Sequence, residues 1–486
     1  MFLGIDLGTS EVKVLLLDER GAIVGTAGSS LTLSHPQPLW SEQDPAAWWA
    51  ATEQAVARLR AAFPEAFAQV RGIGLSGQMH GAVLIDKAHE VLRPAILWND
   101  GRSHAECDEL TRAAPRLHEI AGNLAMPGFT APKLLWVRRH EPDLFDRIDC
   151  VLLPKDYLRL RLTGERVGDP SDAAGTLWLD VAARDWSDEL LAACGLRRAQ
   201  MPRLVESGAV SGVLLPELAR AWGLGADVVV AGGAGDNAAS AIGVGVVHPG
   251  DGFISLGTSG VLFVVNDRYR PNPTSAVHAF CHAVPGRWHQ MIVMLSAASC
   301  LQWFTRVSGA ADEAALIEEV AALSHEARAH APIFLPYLAG ERTPHNDPFA
   351  SGVFMGLRHE TTRAHFAYAV LEGVAFGLAD GLAALRAAGT EVGRLSLLGG
   401  GSRSALWAQL IADALGVPCD VLDGAQAGAA LGAARLGWIA AGGTLAQVCQ
   451  RPPVRQAFEP DAARHHALQG RLQRFREIYS QTGARI

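Results

Sequence analysis

The stretch Gly4-Ile5-Asp6-Leu7-Gly8-Thr9-Ser10 decides how this chain folds. Residues 3–7 are apolar enough to predict a short buried strand, and residues 12–16 alternate as a second strand. Between them, Gly8 is expected to turn the chain in the left-handed backbone region, which glycine enters at little cost. The hairpin tip would offer N–H groups and hydroxyls to a phosphate, and Asp6 suits a hydrated divalent cation. An ordinary hairpin turn is the alternative interpretation.

The same turn recurs about half a chain length later. Residues 256–259 repeat the Leu-Gly-Thr-Ser sequence of residues 7–10, and alternating apolar residues follow both copies. A half-length repeat of one hairpin predicts two related domains that face each other. Ser255 stands where the first copy has Asp6, so the two halves are expected to differ in function.

Length and composition restrict the class of protein. A chain of 486 residues is too long for one hydrophobic core, and its 49% apolar and 19% charged residues are typical of a globular protein. The net charge of −8 argues against nonspecific nucleic-acid binding, although a local basic pocket for a nucleotide is compatible with it. We expect no signal peptide and no membrane span. Seven scattered cysteines favour reduced thiols and a cytoplasmic location.

The order of elements predicts an α/β fold. Three antiparallel strands are followed by a helix that opens at Asp44-Pro45, with Asp44 as its N-cap, and then by a strand over residues 70–75. The second half repeats this scheme from residue 253 onward. The glycine-rich connector over residues 243–250 places the domain boundary, which gives domains 1–245 and 246–486.

Asp236 is the strongest single candidate for chemistry. Glycines flank its loop, so a substrate can approach the carboxylate closely. A carboxylate is a weak base for an alcohol, but this is tolerable in phosphoryl transfer, where the transition state is loose. The alternative is an aspartate that caps the next helix.

Other polar motifs are weaker. Gly399-Gly400-Gly401 lies between a predicted strand and helix, where it suits a nucleotide or is a plain turn. His80 could bind a sugar hydroxyl or be structural. The histidines and cysteine over residues 278–289 resemble a loose metal cluster, but their alternation favours structural roles. The P-loop motif and the GxSxG motif are both absent from the sequence.

Together these motifs resemble the FGGY family of carbohydrate kinases, in the superfamily that includes actin and hexokinase, over essentially the whole chain. The stretches that carry the resemblance are residues 4–10, 39–45, 77–81, 128–134, 153–158, 235–237, 256–260, 340–344 and 399–401. Within the family, Gln78-Met79-His80 resembles the members that phosphorylate D-xylulose, whereas glycerol kinases carry Arg-Glu there.

The resemblance implies two actin/hexokinase-like (ribonuclease H-like) domains with a cleft that binds ATP, Mg²⁺ and a small sugar. It implies no nucleic-acid or membrane partner, and it allows a homodimer. The residues it assigns are Asp236 as general base; Met79, His80 and Asn237 as sugar contacts; Thr9, Ser10, Lys13, Thr258, Gln302, Gly400 and Ser404 as nucleotide contacts; and Asp6 as the residue near Mg²⁺.

Two other functions are compatible with the sequence. One is a kinase of the same family that acts on another small polyol or a sugar acid, which a substrate panel would separate. The other is a non-enzymatic nucleotide-binding switch of the actin or chaperone type, which would bind ATP without sugar and without transfer. The presence of Asp236 and of the Gln78-Met79-His80 loop argues against the switch.

Overall fold

The computed structural model describes residues 1–423 and 428–482 of the chain. The first half contributes the strands β1 (Phe2–Leu7), β2 (Glu11–Leu17), β3 (Ile23–Ser30), β4 (Glu42–Gln43), β5 (Gly72–Gly77), β6 (Val83–Ile85), β7 (Ala95–Ile96), β8 (Cys150–Leu152), β9 (Val167–Gly168), β10 (Leu179–Asp180), β11 (Asp185–Trp186), β12 (Arg203–Leu204), β13 (Val210–Val213), β14 (Val229–Ala231) and β15 (Ala234–Gly235). Its helices are α1 (Pro45–Ala62), α2 (Pro64–Phe67), α3 (His104–Ala113), α4 (Leu117–Ile120), α5 (Thr130–His140), α6 (Pro142–Phe145), α7 (Pro154–Thr163), α8 (Pro170–Ala173), α9 (Asp188–Ala193), α10 (Pro216–Trp222) and α11 (Asp236–Gly243).

The second half repeats the mixture of strands and helices. Its strands are β16 (Asp251–Leu256), β17 (Gly260–Asn266), β18 (His278–Cys281), β19 (Trp288–Met294), β20 (Ile333–Leu335), β21 (Val353–Met355), β22 (Arg394–Leu398), β23 (Cys419–Leu422) and β24 (Val454–Phe458). Its helices are α12 (Ala298–Ser308), α13 (Glu313–Ala321), α14 (His325–Ala329), α15 (Arg363–Ala387), α16 (Ala405–Leu415), α17 (Gly428–Ala440), α18 (Leu445–Val448) and α19 (Ala462–Thr482).

Two large sheets have the same internal plan. The first has the order β13-β14-β5-β1-β2-β3, and the second has the order β18-β19-β17-β16-β22-β23-β24. In each sheet an antiparallel hairpin, β1–β2 or β16–β17, is joined on its first strand by a parallel strand, β5 or β22. The predicted α/β class and the pair of related domains are therefore confirmed.

Local sequence chemistry explains where several helices begin and end. The side chain of Asp44 accepts a hydrogen bond from the N–H of Ala46 at 2.9 Å, and Pro45 is the first residue of α1, as predicted. At the other end of the chain, α16 stops at Gly416, whose φ of 63° only glycine adopts at little cost. These caps fix the helices that cover the two sheets.

One helix of the second half packs on the sheet of the first half. A Cβ added to Gly4 would lie 2.1 Å from the carbonyl oxygen of Ala430, and one added to Gly74 would lie 1.8 Å from that of Ala433. Strands β1 and β5 thus carry glycine where α17 lies against them, so the described part of the alanine- and glycine-rich segment 425–443 is densely packed. Residues 425–427 of that segment lie outside the described residues. The division at 245/246 stays a prediction.

Helix α15 forms the centre of the second domain. By length and composition alone, it is apolar enough to cross a membrane, with a mean hydropathy of 1.4 over 18 residues. However, 94% of that window is buried inside the protein. Gly373 and Gly377 allow close contact with Phe334 and Met294, which lie on the strands β20 and β19. We therefore read α15 as a core helix.

Candidate active site

The candidate catalytic residues meet at one edge of the first sheet. Asp6 lies in β1 opposite Ser76 of the parallel strand β5, and β15 pairs with β5 at the same level. Asp236 follows β15 directly as the first residue of α11. Because the carboxyl ends of parallel strands point the same way, Asp6, Asp236 and the loop after β5 share one end of the sheet.

Only one of the two carboxylate oxygens of Asp236 accepts hydrogen bonds from the described residues. Its Oδ1 accepts hydrogen bonds from the backbone N–H and the side-chain amide of Asn237, at 2.7 and 3.0 Å. Its Oδ2 makes no hydrogen bond within the described residues. Burial raises the pKa of Asp236 to about 6, although the bonds from Asn237 oppose this shift. The N-cap of α11 is Gly235, so Asp236 is not the helix cap that the alternative interpretation expected.

Asp6 lies close enough to Asp236 for the two charges to interact. Burial, followed by the charge of Asp236, raises the pKa of Asp6 to about 6, while the charge of Lys13 opposes the shift. Lys13 is the direct antiparallel partner of Asp6 in β2. A cation at this point would relieve the repulsion between the two carboxylates.

The loop after β5 presents Met79 and His80 beside Asp236. A Cβ on Gly235 would lie 2.9 Å from Cγ of Met79, so the two loops are in direct contact. The His80 backbone has a φ of 70°, which is rare for a residue other than glycine. Its Nδ1 lies 2.7 Å from the carbonyl oxygen of Gly175 and therefore carries the proton.

The ring of His80 is neutral. Burial lowers its pKa to about 3, so at neutral pH only one ring nitrogen is protonated. With the proton on Nδ1, Nε2 is left as an acceptor, and no hydrogen bond within the described part of the chain occupies it. The ring packs against Phe129 at 4.6 Å and lies 6.2 Å from Phe280 of the second half. His80 can thus accept a hydrogen bond from a sugar hydroxyl inside an aromatic pocket.

The first phosphate hairpin differs from its prediction at Gly8. The backbone of Gly8 is not in the left-handed region, so that expectation was wrong. Glycine fits there because a Cβ would lie 3.0 Å from the carbonyl oxygen of Glu11 across the turn. Ser10 is exposed at the tip. The Thr9 hydroxyl donates to Oε1 of Gln78 at 3.1 Å and accepts from the indole N–H of Trp98 at 3.0 Å.

The second hairpin is held mainly through its backbone. The carbonyl oxygens of Gly257 and Thr258 accept hydrogen bonds from Ala298 and Ala297, both at 2.9 Å, where α12 begins. The side chain of Thr258 is exposed. Gln302 lies one turn into α12 and is exposed as well. The hairpin tip and the start of α12 therefore form one surface.

A cavity of about 500 Å³ lies between the two halves of the chain. Asn237 of the first half lines it together with Ser255 and Gly400 of the second half. Gly399 has a φ of 84°, and a Cβ there would lie 2.6 Å from the carbonyl oxygen of Leu256, so the glycine run lies against the second hairpin. The volume is in the range of small-molecule sites.

Ser404 does not line this cavity; its hydroxyl caps α16 by accepting from the backbone N–H of Trp407 at 3.2 Å.

Some supporting residues were not assigned from the sequence. The carbonyl oxygen of His80 accepts hydrogen bonds from Nζ of Lys133 at 2.8 Å and from the hydroxyl of Thr130 at 3.1 Å. Lys133 is fully buried, and burial lowers its pKa to about 7. A lysine directly before the apolar run Leu134-Leu135-Trp136-Val137 was the available signal, because a buried amine needs acceptors.

The histidines over residues 278–289, which resembled a loose metal cluster in the sequence, pack in and beside the second sheet. His278 places Nδ1 3.0 Å from the amide oxygen of Asn123, and its ring stacks on Phe280 at 5.5 Å. Residues 1–423 and 428–482 contain no group of three or more His, Cys, Asp or Glu side chains placed to hold a metal ion. Two mixed sheets with a nucleotide-sized cavity between them, and Asp236 directly before the wall residue Asn237, are the arrangement of a two-domain phosphotransferase of the actin/hexokinase type.

Comparison with known proteins agrees with this class. Residues 1–243 match the N-terminal domain model of the FGGY family of carbohydrate kinases, and residues 252–441 match its C-terminal domain model. The chain is 54% identical over 483 residues to the xylulose kinase of Escherichia coli (strain K12) and 52% identical over 488 residues to that of Klebsiella pneumoniae, with 99% of each chain covered. The crystal structure of a xyloylose kinase from Brucella ovis superposes with a TM-score of 0.96 at 54% identity, covering 99% of both chains.

This chain belongs to the FGGY family of carbohydrate kinases. The sugar kinases of this family use ATP as the phosphate donor. The resemblance inferred from the sequence motifs, and the actin/hexokinase-like fold that it implied, are confirmed.

Proposed function

We propose that this enzyme transfers the terminal phosphoryl group of ATP to D-xylulose and forms D-xylulose 5-phosphate. In D-xylose catabolism, that product would feed the pentose phosphate pathway. The full-length relatives support the choice of sugar. The observation that carries the chemistry is the unshared Oδ2 of Asp236, whose loop contacts the Met79–His80 loop.

Asp236 acts as the general base in this proposal. Its Oδ2 accepts the hydrogen bond of the terminal sugar hydroxyl and takes its proton as the hydroxyl oxygen bonds to the γ-phosphorus of ATP. The bond from that phosphorus to the bridging oxygen breaks in the same step, and ADP leaves with the oxygen. A pKa near 6 makes it a stronger base than an ordinary aspartate and leaves it mostly ionised at neutral pH. The Asn237 amide holds Oδ1, so Oδ2 keeps a fixed direction.

His80, Met79 and Asn237 orient the sugar. His80 accepts a hydroxyl through Nε2, and the Met79 side chain provides an apolar wall beside Gly235. Holding acceptor and donor in line gives a large part of the rate in phosphoryl transfer. Closure of the domains would exclude water, because hydrolysis of ATP is the competing reaction.

The residues around Asp6 fit a magnesium ion held mainly by water and phosphate. Mg²⁺ usually keeps several waters and is bound through one or two carboxylates plus substrate phosphates, which agrees with an acid-poor site. Asp6 would hold it through water, and the ion would supply neutralising charge for the phosphates. The proposed nucleotide contacts are Thr9, through its backbone N–H, and Ser10, Lys13, Thr258, Gln302 and Gly400, with Ser404 acting through its cap on α16.

A coupled ADP-release assay tests the function. The panel is D-xylulose, D-ribulose, L-xylulose, D-fructose and glycerol, and D-xylulose should give the highest kcat/KM. Asp236→Asn should fold and bind ATP normally but lower kcat by at least ~10²-fold, the usual scale for a positioned acid–base group. A different preferred sugar would overturn the substrate, and near-normal turnover of the variant would remove Asp236 from the mechanism.

The sugar contact of His80 needs a variant that tolerates its backbone. At a φ of 70°, alanine would add strain, whereas asparagine adopts this region readily. His80→Asn should therefore raise KM for D-xylulose about 10-fold, the effect of losing a buried hydrogen bond of about 1–3 kcal/mol. KM for ATP, from the same initial-rate data, should stay within about twofold. Equal changes in both KM values would make His80 a structural residue.

A cytoplasmic location and a homodimer remain predictions. Gel filtration with light scattering would decide the oligomeric state.

A further inference from the structure

A fully buried ionic cluster lies beneath the candidate active site. Nζ of Lys155 lies 2.7 Å from Asp156, 2.8 Å from Asp169 and 3.1 Å from Asp172. Arg159 joins the cluster through Asp156 at 2.6 Å. All five side chains are at most 2% exposed. None of them belongs to the set that we propose to touch sugar or nucleotide.

The cluster holds both ends of the segment that precedes Asp236. The guanidinium of Arg159 donates to the carbonyl oxygen of Gly232. At the other end, the N–H of Gly235 donates to the hydroxyl oxygen of Ser171 at 3.3 Å. That hydroxyl in turn donates to Oδ2 of Asp169 at 2.6 Å. A continuous chain of contacts therefore runs from Lys155 through Asp169 and Ser171 to the residue before Asp236.

The same cluster also supports the sugar loop. A Cβ on Gly77 would lie 3.1 Å from Cβ of Lys155, and one on Gly81 would lie 2.5 Å from Cγ of Pro154. The start of α7 thus lies directly under the loop that carries Met79 and His80. The same buried group of charges therefore supports both the segment before Asp236 and the loop that carries Met79 and His80.

Stability alone is a poor reason to bury these charges. Three carboxylates face two cations, and burial raises the pKa of Asp172, so a proton on Asp172 would make the cluster neutral. Even when neutral, a buried ionic group often contributes no more to stability than apolar residues of the same volume. A buried ionic group does fix the orientations of its side chains, because each charged group has only a few favourable arrangements of its partners.

We propose that Ser171 is a positioning residue, which transmits the fixed geometry of the Lys155–Asp169 pair to Asp236 through the N–H of Gly235. This inference rests on the proposed function, because it assumes that Asp236 is the general base. Ser171 contacts neither sugar nor nucleotide in this proposal. Its effect is on the direction in which Asp236 presents Oδ2.

The chain offers a matched control for the test. The hydroxyl of Ser207 donates to the same Oδ2 of Asp169, at 2.8 Å, and is also fully buried, but it makes no hydrogen bond to Gly235. The carbonyl oxygen of Ser207 accepts from the N–H of Gly233 at 2.9 Å, a backbone bond that Ser207→Ala keeps. Ser171→Ala and Ser207→Ala therefore each remove one hydroxyl from the same carboxylate oxygen. Only Ser171→Ala should lower kcat, by about 10-fold, since small misplacements of a catalytic group are costly. KM for ATP should stay unchanged in both variants, and their melting temperatures should fall by similar amounts.

Two further variants keep the test decisive. Ser171→Cys has nearly the volume of serine but a weak hydrogen bond, so it should fold even where alanine leaves a cavity, and its kcat should lie between wild type and Ser171→Ala. In an Asp236→Asn background, Ser171→Ala should cause no further loss, because its effect acts through Asp236. Equal kcat values for Ser171→Ala and Ser207→Ala, or an additive loss in the double variant, would overturn the inference alone. Near-normal turnover of Asp236→Asn by itself would overturn the proposed base and the inference together.

Discussion

The two phosphate hairpins have the same sequence at their turns but are held in different ways. In the first, the Thr9 side chain is fixed between Gln78 and Trp98, and the half-buried Asp6 stands before the turn. In the second, the carbonyl oxygen of Thr258 accepts from the start of α12, its side chain is exposed, and Ser255 replaces the acid. The repeat has therefore kept the backbone scaffold while its side chains have diverged.

This difference suggests a division of work between the two domains. The first hairpin carries the carboxylate that can hold a hydrated cation, and its threonine hydroxyl is already used inside the protein. The second hairpin has Ser255 where the first has this acid, and the Thr258 hydroxyl at its exposed tip makes no hydrogen bond to the described residues. Three variants can test this division, each with its partner in the other hairpin as the control.

Removing the acid should have the largest effect. Asp6→Ala takes away the carboxylate beside the triphosphate and should lower kcat by at least ~10²-fold at ordinary Mg²⁺, since metal-ion charge stabilisation contributes several kcal/mol. Ser255→Ala, at the matching position before the second turn, should stay within about twofold. Initial rates as a function of Mg²⁺, with ATP binding followed by calorimetry, measure both. Equal sensitivity of the two positions would end the claim that the halves have diverged.

Replacement of each threonine by valine should affect a different property of the enzyme. Thr258→Val removes a free hydroxyl and should raise KM for ATP about 10-fold, because a hydrogen bond to a charged group contributes about 1.5–3 kcal/mol. Thr9→Val leaves the buried Oε1 of Gln78 without its donor, so it should cost about 1–3 kcal/mol of unfolding free energy instead. Kinetics and urea unfolding on both variants separate the outcomes. A higher KM for ATP in Thr9→Val than in Thr258→Val would reverse the assignment.

The smallest effect concerns pH and stability. The pKa of Asp6 is raised from 3.8 to about 6 in the fold, so its ionised form costs folding free energy above about pH 6. Asp6→Asn, without ATP or Mg²⁺, should therefore melt ~2–4 °C higher than wild type at pH 8. The gain should shrink as the pH falls through about 6 and vanish below about 4, where Asp6 is protonated in both states. Ser255→Asn should show no such trend in calorimetric scans, and a gain independent of pH in Asp6→Asn would contradict the assignment.

The sequence predicted what depends on local pattern. Alternating apolar residues located the strands of both hairpins, and Asp44-Pro45 located the start of α1. The loop around Asp236 was also found, because glycines beside an acid are a local signal. The backbone conformation of Gly8 was not predicted correctly. Gly8 is not in the left-handed region, and glycine is favoured there because a Cβ would come close to the carbonyl oxygen of Glu11, which is a contact across the turn.

Contacts between distant residues could not be predicted. Lys155 meets Asp169 and Asp172 only because the chain turns back after α7. Residues 153–158 contributed to the family resemblance, but the sequence assigned no structural role to Lys155. The double use of the Thr9 hydroxyl depends on Trp98, which lies far along the chain. Such pairs follow from tertiary packing, which one sequence does not specify by spacing.

The packing of α17 on β1 and β5 has a consequence for how the enzyme is made. The first strand is synthesised early, but the helix that covers it begins at Gly428, more than 400 residues later. At roughly 5–20 residues per second, the helix follows the strand by about 20–90 seconds. During that interval the glycine-lined face of Gly4 and Gly74 lacks its cover, so the core of this sheet stays incomplete until residues 428–440 have been synthesised.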